Sequence, residues 1–352
     1  MKQTIRIAVG QGGDLWHEKF KSALATKVAQ GYPLSYEVIN LDRHDWRQLV
    51  IPFDIVIWKP AYMGPRTASH LKEKIYFLER YMGKIVVPNF NTIWHFESKV
   101  AQSYLIGQYN IASPATIVSF DYNDSIECLK SESMPLVFKL SHGAASQNVK
   151  LVRSKEEATR VIEQVFFQQL WDASKAKYHS RLQQLVTVMF KSWFWTKVRR
   201  KLLNDERVGV VYWQKFIPEN SADLRITAIG DRYAFGFWRN NRPNDFRASG
   251  SGRIDYERAV PEAALKYCID LNHRFGFDSM AYDLLFREGN FVITEISYAY
   301  LDTAIYKTQG YYELNPAGNL IYQRGQIWPQ QLWVEWALSR IENREKSSTT
   351  AT

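Results

Sequence analysis

Cysteine is nearly absent: Cys128 and Cys268 are the two in 352 residues, and no CxxC spacing occurs. That excludes a thiolate metal cluster and argues against a disulfide framework, so a reducing compartment, the cytoplasm, is the expected location. No uncharged apolar run reaches the roughly 18 residues of a membrane span. The opening MKQTIRIAVG is basic and passes straight into a short strand and a glycine, without the apolar core and small-residue cleavage site of a signal peptide. GQGGD at 10–14 is glycine-rich after that strand but lacks both the full dinucleotide fingerprint and the phosphate-loop lysine, which leaves a simple turn as the plainer reading. No internal repeat is evident.

What remains is an ordinary globular composition, 46% hydrophobic and 23% charged, rich in Trp and Tyr. The length exceeds the usual range of one core, so two or three subdomains are expected. A formal charge of +9 suits phosphorylated, nucleic-acid or anionic-surface partners without choosing among them.

Residues 1–90 read as a small α/β domain, with strand-length apolar runs at Ile5–Val9, Tyr36–Leu41, Phe53–Trp58 and Lys84–Pro88 separated by helix-like segments, which implies a largely parallel sheet. Residues 91–220 form a second domain. It opens with a helix capped by Asn91 or Thr92 and broken at Pro114, continues with strands Leu136–Leu140 and Val149–Val152 around the loop SHGAASQN, and reaches a helix where Ser154 and Glu157 form a capping box. An insertion at 168–204 interrupts it. Within 182–203, apolar residues recur at helical spacing beside a basic, aromatic end; packing on the body, a protein partner or an anionic membrane surface all suit that pattern. A third domain, 221–340, holds a hairpin turning at Gly230-Asp231, the polar loop 240–254, a helix Glu262–Phe275 and a terminal Trp-bearing helix; 341–352 read as a flexible tail.

The most informative stretch is YDLLFREGNFVITEIS, residues 282–297. Two apolar runs flank Glu288-Gly289-Asn290, the pattern of a hairpin. A register centred on Gly289 sets Asp283 across from Glu295, about 5 Å apart on one face. Like charges there repel by ~3 kcal/mol at an effective dielectric near 20. One acid must be protonated, a basic side chain must intervene, or a hard cation must sit between them. Ser297 shares their face. Cationic groups precede the hairpin: Lys99, Lys139 inside the apolar strand PLVFKLS, Arg225 in ADLRI, Arg239, and Arg247 in the polar loop. A lysine buried in such a strand needs an anionic partner, and backbone amides in HGAAS can wrap phosphate oxygens. Together these compose a site for polyphosphate and a divalent cation.

The order of these elements resembles the ATP-grasp superfamily, especially the branch of ribosomal-protein glutamate ligases, and more distantly glutathione synthetase and D-alanine–D-alanine ligase. PNFNTIWHFESKVAQSYLIGQYNIASPAT is similar to the family's lysine-bearing helix, with Lys99 at the nucleotide lysine. PLVFKLSHGAASQNVKLVRSKEEA is similar to its second lysine strand and mobile loop, with Lys139, Gly143, Ala144, Ala145 and Ser146 on the phosphates. VYWQKFIP is similar to the hinge, where Gln214, Lys215, Phe216 and Ile217 would meet adenine. FDSMAYDLLFREGNFVITEIS is similar to the terminal hairpin, with Asp283 and Glu295, and Ser297 beside them, as magnesium ligands. The resemblance implies an α/β chain with an ATP-grasp fold preceded by an N-terminal Rossmann-like α/β domain.

It further implies an ATP- and Mg2+-dependent ligase that joins a carboxylate to an amine or other nucleophile through an acylphosphate, with Arg225, Arg239 and Arg247 acting on substrate and transferring phosphoryl group. Three departures mark the chain: Ser297 where the family commonly has asparagine, a flap poorer in glycine, and Gln214-Lys215 where an acid is common. An ATP-dependent phosphotransferase and a catalytically silent nucleotide-binding assembly protein are the alternatives. Nucleic acid is disfavoured, because ATP and acidic substrates explain the basic groups more economically; a homodimer is left open. Arg242 and Arg247 point to an anionic substrate, Asn240 to metal contact or loop capping, and Trp238 and Tyr298 to walls of the site.

Overall fold

The computed structural model describes residues 4–12, 14–60, 65–141, 149–167 and 209–349. The chain divides into two compact units, Met1–Phe96 with Asn220–Thr352, and Glu97–Glu219. The segments expected as a first and a third domain thus share one unit.

In the first unit, β1 (Ile5–Gly10), β2 (Leu34–Ile39), β3 (Ile55–Ile57) and β4 (Ile85–Val87) form a sheet of order β2-β1-β3-β4, parallel at every pairing. Ile7, Ala8, Val9, Ile55, Val56 and Ile57 are fully buried, which is why these strands read as unbroken apolar runs. The connecting helices are α1 (Trp16–Ala29), α2 (Trp46–Val50) and α3 (Pro65–Arg80), and α4 (Phe90–Ile93) follows β4. Packing explains Gly10 and Gly12 of GQGGD. A β-carbon on Gly10 would run into the Trp58 ring, and one on Gly12 would lie 2.7 Å from the Lys59 carbonyl oxygen.

The same unit carries an antiparallel sheet of β9 (Ala222–Ile229), β10 (Tyr233–Asn240), β12 (Ser279–Arg287), β13 (Asn290–Ser297), β14 (Gly310–Leu314) and β15 (Leu320–Arg324), ordered β13-β12-β9-β10-β14-β15; β11 (Ile254–Asp255) adds to β10. One face is covered by α8 (Glu262–Phe275), whose Asn272 accepts from the Tyr282 hydroxyl at 2.7 Å and donates to the Gly230 carbonyl at 2.9 Å. Gly276, left-handed at φ 64°, stops that helix at the expected place. After α9 (Asp302–Tyr306), α10 (Pro329–Thr349) runs through most of the stretch expected as a tail. It is held because Trp336 and Arg340 both reach the buried Asp278, at 2.7 and 3.1 Å, and Arg340 also donates to the Val86 carbonyl.

The β12–β13 hairpin closes on Arg287 and Asn290. Glu288 and Gly289 both take positive φ, 51° and 80°, as a two-residue type I′ turn requires, so the loop is one residue shorter than expected. That turn alone would put Thr294 opposite Asp283. A bulge between Asp283 and Leu284 skips Thr294 and restores Glu295 to the position facing Asp283. The Thr294 hydroxyl donates to the Asp283 carbonyl at 3.1 Å.

The second unit holds α5 (Lys99–Gln108), β5 (Thr116–Ser119), α6 (Tyr122–Ser131), β6 (Leu136–Lys139), β7 (Val149–Val152), α7 (Lys155–Phe167) and β8 (Val211–Lys215), with an antiparallel sheet ordered β5-β8-β6-β7. Phe138, Val152, Val161, Val165, Val211 and Trp213 form its core. Ser98, not Asn91 or Thr92, caps the lysine-bearing helix, while Asn89 caps the short α4 before it. Half of the expected Ser154–Glu157 capping box forms: the Glu157 N–H donates to Ser154 Oγ at 3.2 Å, while the Glu157 carboxylate accepts from the Arg153 N–H at 3.0 Å, one residue before the cap. The 168–204 insertion, with its 182–203 partner surface, lies outside the described residues. Among the described residues, no helix is long and apolar enough to cross a membrane.

Glu79, half-buried on α3, has its carboxyl pushed up from 4.5 to about 7. Burial is the cause, opposed by the Phe90 N–H bond and the Arg340 charge and reinforced by Asp278. An acid raised in the folded state stabilises fully below its unfolded value, and that contribution fades as pH rises from about 4.5 through about 7. Glu79→Gln keeps an acceptor for Phe90 and is expected to gain about 1–2 kcal/mol over the wild type at pH 8 and nothing at pH 4. Urea denaturation at the two pH values measures the difference.

Candidate active site

On the sheet face opposite α8, the register sets Asp223 beside Arg239 and aligns Arg225, Asp283 and Glu295 across three adjacent strands. The side chains meet as that register requires. Arg225 Nε and Nη2 donate to the two Asp283 oxygens at 2.7 and 2.8 Å. Arg239 donates from Nε to Asp223 Oδ1 at 2.7 Å and from Nη2 to Asp223 Oδ2, and that Nη2 lies 2.7 Å from Asp283 Oδ2. Asp283 is 4% exposed and Arg239 6%, while Arg225 is half-buried, so two carboxylates and two guanidiniums gather as a charge-balanced cluster.

Burial alone would raise the Asp283 carboxyl, yet the charges and hydrogen bonds of Arg225 and Arg239 hold it well below the usual carboxylate range. Burial raises Asp223, with Arg239 opposing. The Arg239 guanidinium, which burial would push down, is raised instead by Asp283 and Asp223. Basic side chains on the neighbouring strands therefore meet Asp283, one of the two facing acids.

Glu295 and Ser297 are half-buried on β13, and the Ser297 Oγ accepts from the Ala299 N–H at 3.2 Å. Oxygen donors of this kind suit a hard cation. Both Asp283 oxygens, however, lie on guanidiniums, so a cation gains them only by exchange. Among the described residues, no group of three or more His, Cys, Asp and Glu is placed to hold a metal. Thr227, two residues beyond Arg225 on the same face, has a buried hydroxyl with no hydrogen-bond partner among the described residues.

The polar loop is internally braced. Arg247 binds Asp245 through Nε and Nη2, at 2.9 and 2.6 Å to Oδ2, and Arg242 Nη2 donates to the Ser249 carbonyl at 2.7 Å. Asn240 closes the loop's base through its N–H to the Arg253 carbonyl, at 2.9 Å. Trp238 is buried, stacked on Phe286 at 5.4 Å with Arg258 3.5 Å from its own ring, and Tyr298 packs edge-on against Phe96 at 4.7 Å.

In the second unit, the Lys99 N–H donates to the Ser141 carbonyl at 2.9 Å, which brings the start of α5 to the end of the strand carrying the buried Lys139. Gln214 is buried, with Nε2 on Thr116 and the Tyr212 hydroxyl at 3.3 Å. The Lys215 N–H is committed to the Ala115 carbonyl at 2.9 Å; Phe216 is half-buried and Ile217 buried. Gly143, Ala144, Ala145 and Ser146 lie outside the described residues.

Asp223 is the residue that the sequence reading passed over. Its signal was available: an acid two places before Arg225 in ADLRI shares that arginine's face and pairs in register with Arg239.

No family model matches the chain. The chain is 24% identical over 248 residues to the alpha-aminoadipate–LysW ligase LysX of Saccharolobus solfataricus, covering 70% of this chain and 75% of that protein. Among solved structures, the D-alanine–D-alanine ligase of Bacillus anthracis complexed with ATP superposes with a TM-score of 0.51 and 14% identity, covering 98% of this chain and 100% of that one. D-cycloserine synthetase DcsG does so with a TM-score of 0.53 and 12% identity, covering 95% and 99%. The fold is the ATP-grasp fold, a mixed α/β architecture whose N-terminal parallel sheet is Rossmann-like.

Removing one partner from a buried ionic cluster strands the other. Asp223→Ala is expected to destabilise the protein by about 3 kcal/mol, and Asp223→Asn, which still accepts one hydrogen bond, by less. Urea unfolding of both variants checks the order.

Proposed function

We propose that the chain is an ATP-dependent ligase that joins a carboxylate to an amine or other nucleophile through an acylphosphate, acting in the cytoplasm. The observation that carries this reading is the Arg225–Asp283–Arg239 cluster, built on a buried Asp283 that faces Glu295 on an ATP-grasp sheet. The ligase relative and the likeness of fold support it.

Lys99 and Lys139 hold the nucleotide phosphates, together with Gly143, Ala144, Ala145 and Ser146. Gln214, Lys215, Phe216 and Ile217 line the adenine. With the Lys215 N–H already spent on Ala115, its carbonyl and the Ile217 backbone are what remain to meet the base. Asp283 and Glu295, with Ser297 beside them, would hold Mg2+, which when bound offsets charge on the polyphosphate. Arg225 orients the substrate carboxylate so that its oxygen attacks the γ-phosphorus and ADP leaves. Arg239, pinned by Asp223, supplies a fixed positive charge beside the transferring phosphoryl group. The nucleophile then attacks the acyl carbon and phosphate departs, while Arg247, steadied by Asp245, steers the acidic substrate from the polar loop.

Purified protein with ATP, Mg2+ and a metabolite extract is expected to yield a condensation product, seen by mass spectrometry as loss of water between two extract components. ADP and phosphate should appear only when both carboxylate and amine are present; a stable phosphorylated alcohol would instead identify a phosphotransferase. Lys139→Ala and Glu295→Ala should each lower phosphate release at least about 100-fold, the scale of one electrostatic group in such a step, while leaving the circular dichroism spectrum intact. Wild-type rates in both variants would remove the residue assignment.

A further inference from the structure

Away from the acids and arginines of the large sheet, a cavity of about 160 Å³ lies among α1, α10 and the far ends of β10 and β14. Tyr233, 6% exposed, forms its floor with the buried Ala23 and Leu332. Lys27 and Glu335, an ion pair that ties α1 to α10, form one wall, and Tyr311 packs beside Tyr233 with ring centroids 6.0 Å apart. Tyr233 and Arg239 share one face of β10, six residues apart, so roughly 20 Å of strand separates this cavity from the Arg239 cluster.

Two features point to a ligand. The hydroxyl of the almost wholly buried Tyr233 has no hydrogen-bond partner among the described residues. Burial pushes that hydroxyl up to about 12, with Arg232 opposing and the Glu335 and Glu313 charges reinforcing, so it lies within electrostatic reach of the ion pair. A buried hydroxyl left unpaired is unfavourable, and a ligand oxygen supplies the missing partner. The second feature is the ion pair itself. The Lys27 side chain is 13% exposed, with its ammonium 4.8 Å from the centre of the Tyr32 ring, while the Glu335 side chain is 38% exposed and open to solvent.

Charge selects the class of ligand. A lone anion drawn to Lys27 meets Glu335, and a lone cation drawn to Glu335 meets Lys27, so either must displace a like charge. A zwitterion entering between the two side chains replaces one ion pair with two charge-assisted ones and leaves no charge unmatched. Size narrows it further. A cavity of about 150 Å³ takes up benzene, so this one holds roughly six to eight heavy atoms. Its floor of Ala23 and Leu332 suits an aliphatic side chain.

We propose that this cavity binds a free, short aliphatic α-amino acid, with its carboxylate on Lys27 and the Tyr233 hydroxyl and its ammonium on Glu335. Bound there, the ligand bridges α1 and α10 and stiffens the packing of one helix on the other. The site is independent of the ligase reading, which places its substrates at the Asp283 end of the sheet.

The test uses the full chain and calorimetry with L-valine, isovalerate, isobutylamine and glycerol as probes. L-Valine is expected to bind at least about tenfold more tightly than isovalerate or isobutylamine, since each of these lacks one charge-assisted bond. Tyr233→Phe should weaken valine about tenfold. Lys27→Met and Glu335→Gln should abolish its heat, and Lys139→Ala should leave it unchanged. Glycerol binding as tight as valine overturns the ligand class. Absence of heat from every probe, or valine binding indifferent to the Tyr233 and Lys27 substitutions, overturns the site.

Hydrogen exchange on the wild type guards against variants that fail to fold. L-Valine should slow amide exchange in peptides from Trp16–Ala29 and Pro329–Thr349. Protection confined to Lys99–Gln108 and Leu136–Lys139 would put valine with the nucleotide lysines instead and sink the proposal. A protein that turns over a carboxylate–amine pair yet shows no valine protection of the two helices keeps the ligase reading and loses this one. Valine protection there, without ADP release from any such pair, does the reverse.

Discussion

A guanidinium buried between two carboxylates, Arg239 against Asp223 and Asp283, is the contact on which the arrangement of the large sheet depends. A buried charge without a partner is too costly to keep, so three strands must meet in the one register that pairs them. Slipping either β9 or β12 by one residue against its neighbours would turn its charged side chains toward α8, where Tyr282 and Asn272 already fill the space. The electrostatics of the site and the geometry of the sheet are therefore a single constraint. Burial and ionisation hold together here because the cluster is neutral as a whole, with Asp283 kept ionised by the two guanidiniums that touch it.

The hairpin shows how finely that constraint acts. A type I′ turn at Glu288-Gly289 sets one register near the loop, and a bulge at Thr294 sets another, one residue on, where the acids are. The bulge redirects the rest of β13, so that Glu295 and Ser297 share the face of Asp283. In the second unit a different constraint operates. The Ser141 carbonyl accepts from the first N–H of α5, so the helix that carries Lys99 begins where the strand bearing Lys139 ends. The apolar side of that strand is spent on the core around Phe138 and Trp213, which leaves the lysine to the opposite side.

Local pattern carried most of the elements. Unbroken apolar runs announced the parallel sheet, because strands covered on both faces need no polar alternation. A proline, an acid and a left-handed glycine bounded α8 at Glu262–Phe275 as read from the sequence. The facing of Asp283 and Glu295 was legible too, although by a route that missed the bulge: a three-residue loop and a two-residue loop followed by a skipped residue lead to the same pair. The reach of α10 to Thr349 was not legible, since a polar segment with little apolar periodicity is held by Asp278, 58 residues before Trp336.

By itself, then, the sequence determined the class of fold and the order of its elements, because periodicity, turn residues and spacing act over a few residues at a time. Which charge each ionisable group meets was decided by the tertiary structure alone. Asp283 finds Arg225 from 58 residues away and Arg239 finds Asp223 from 16, across strands that only the closed sheet sets side by side. Pairing of buried charges depends on proximity in space, and the order of residues along a chain does not record it.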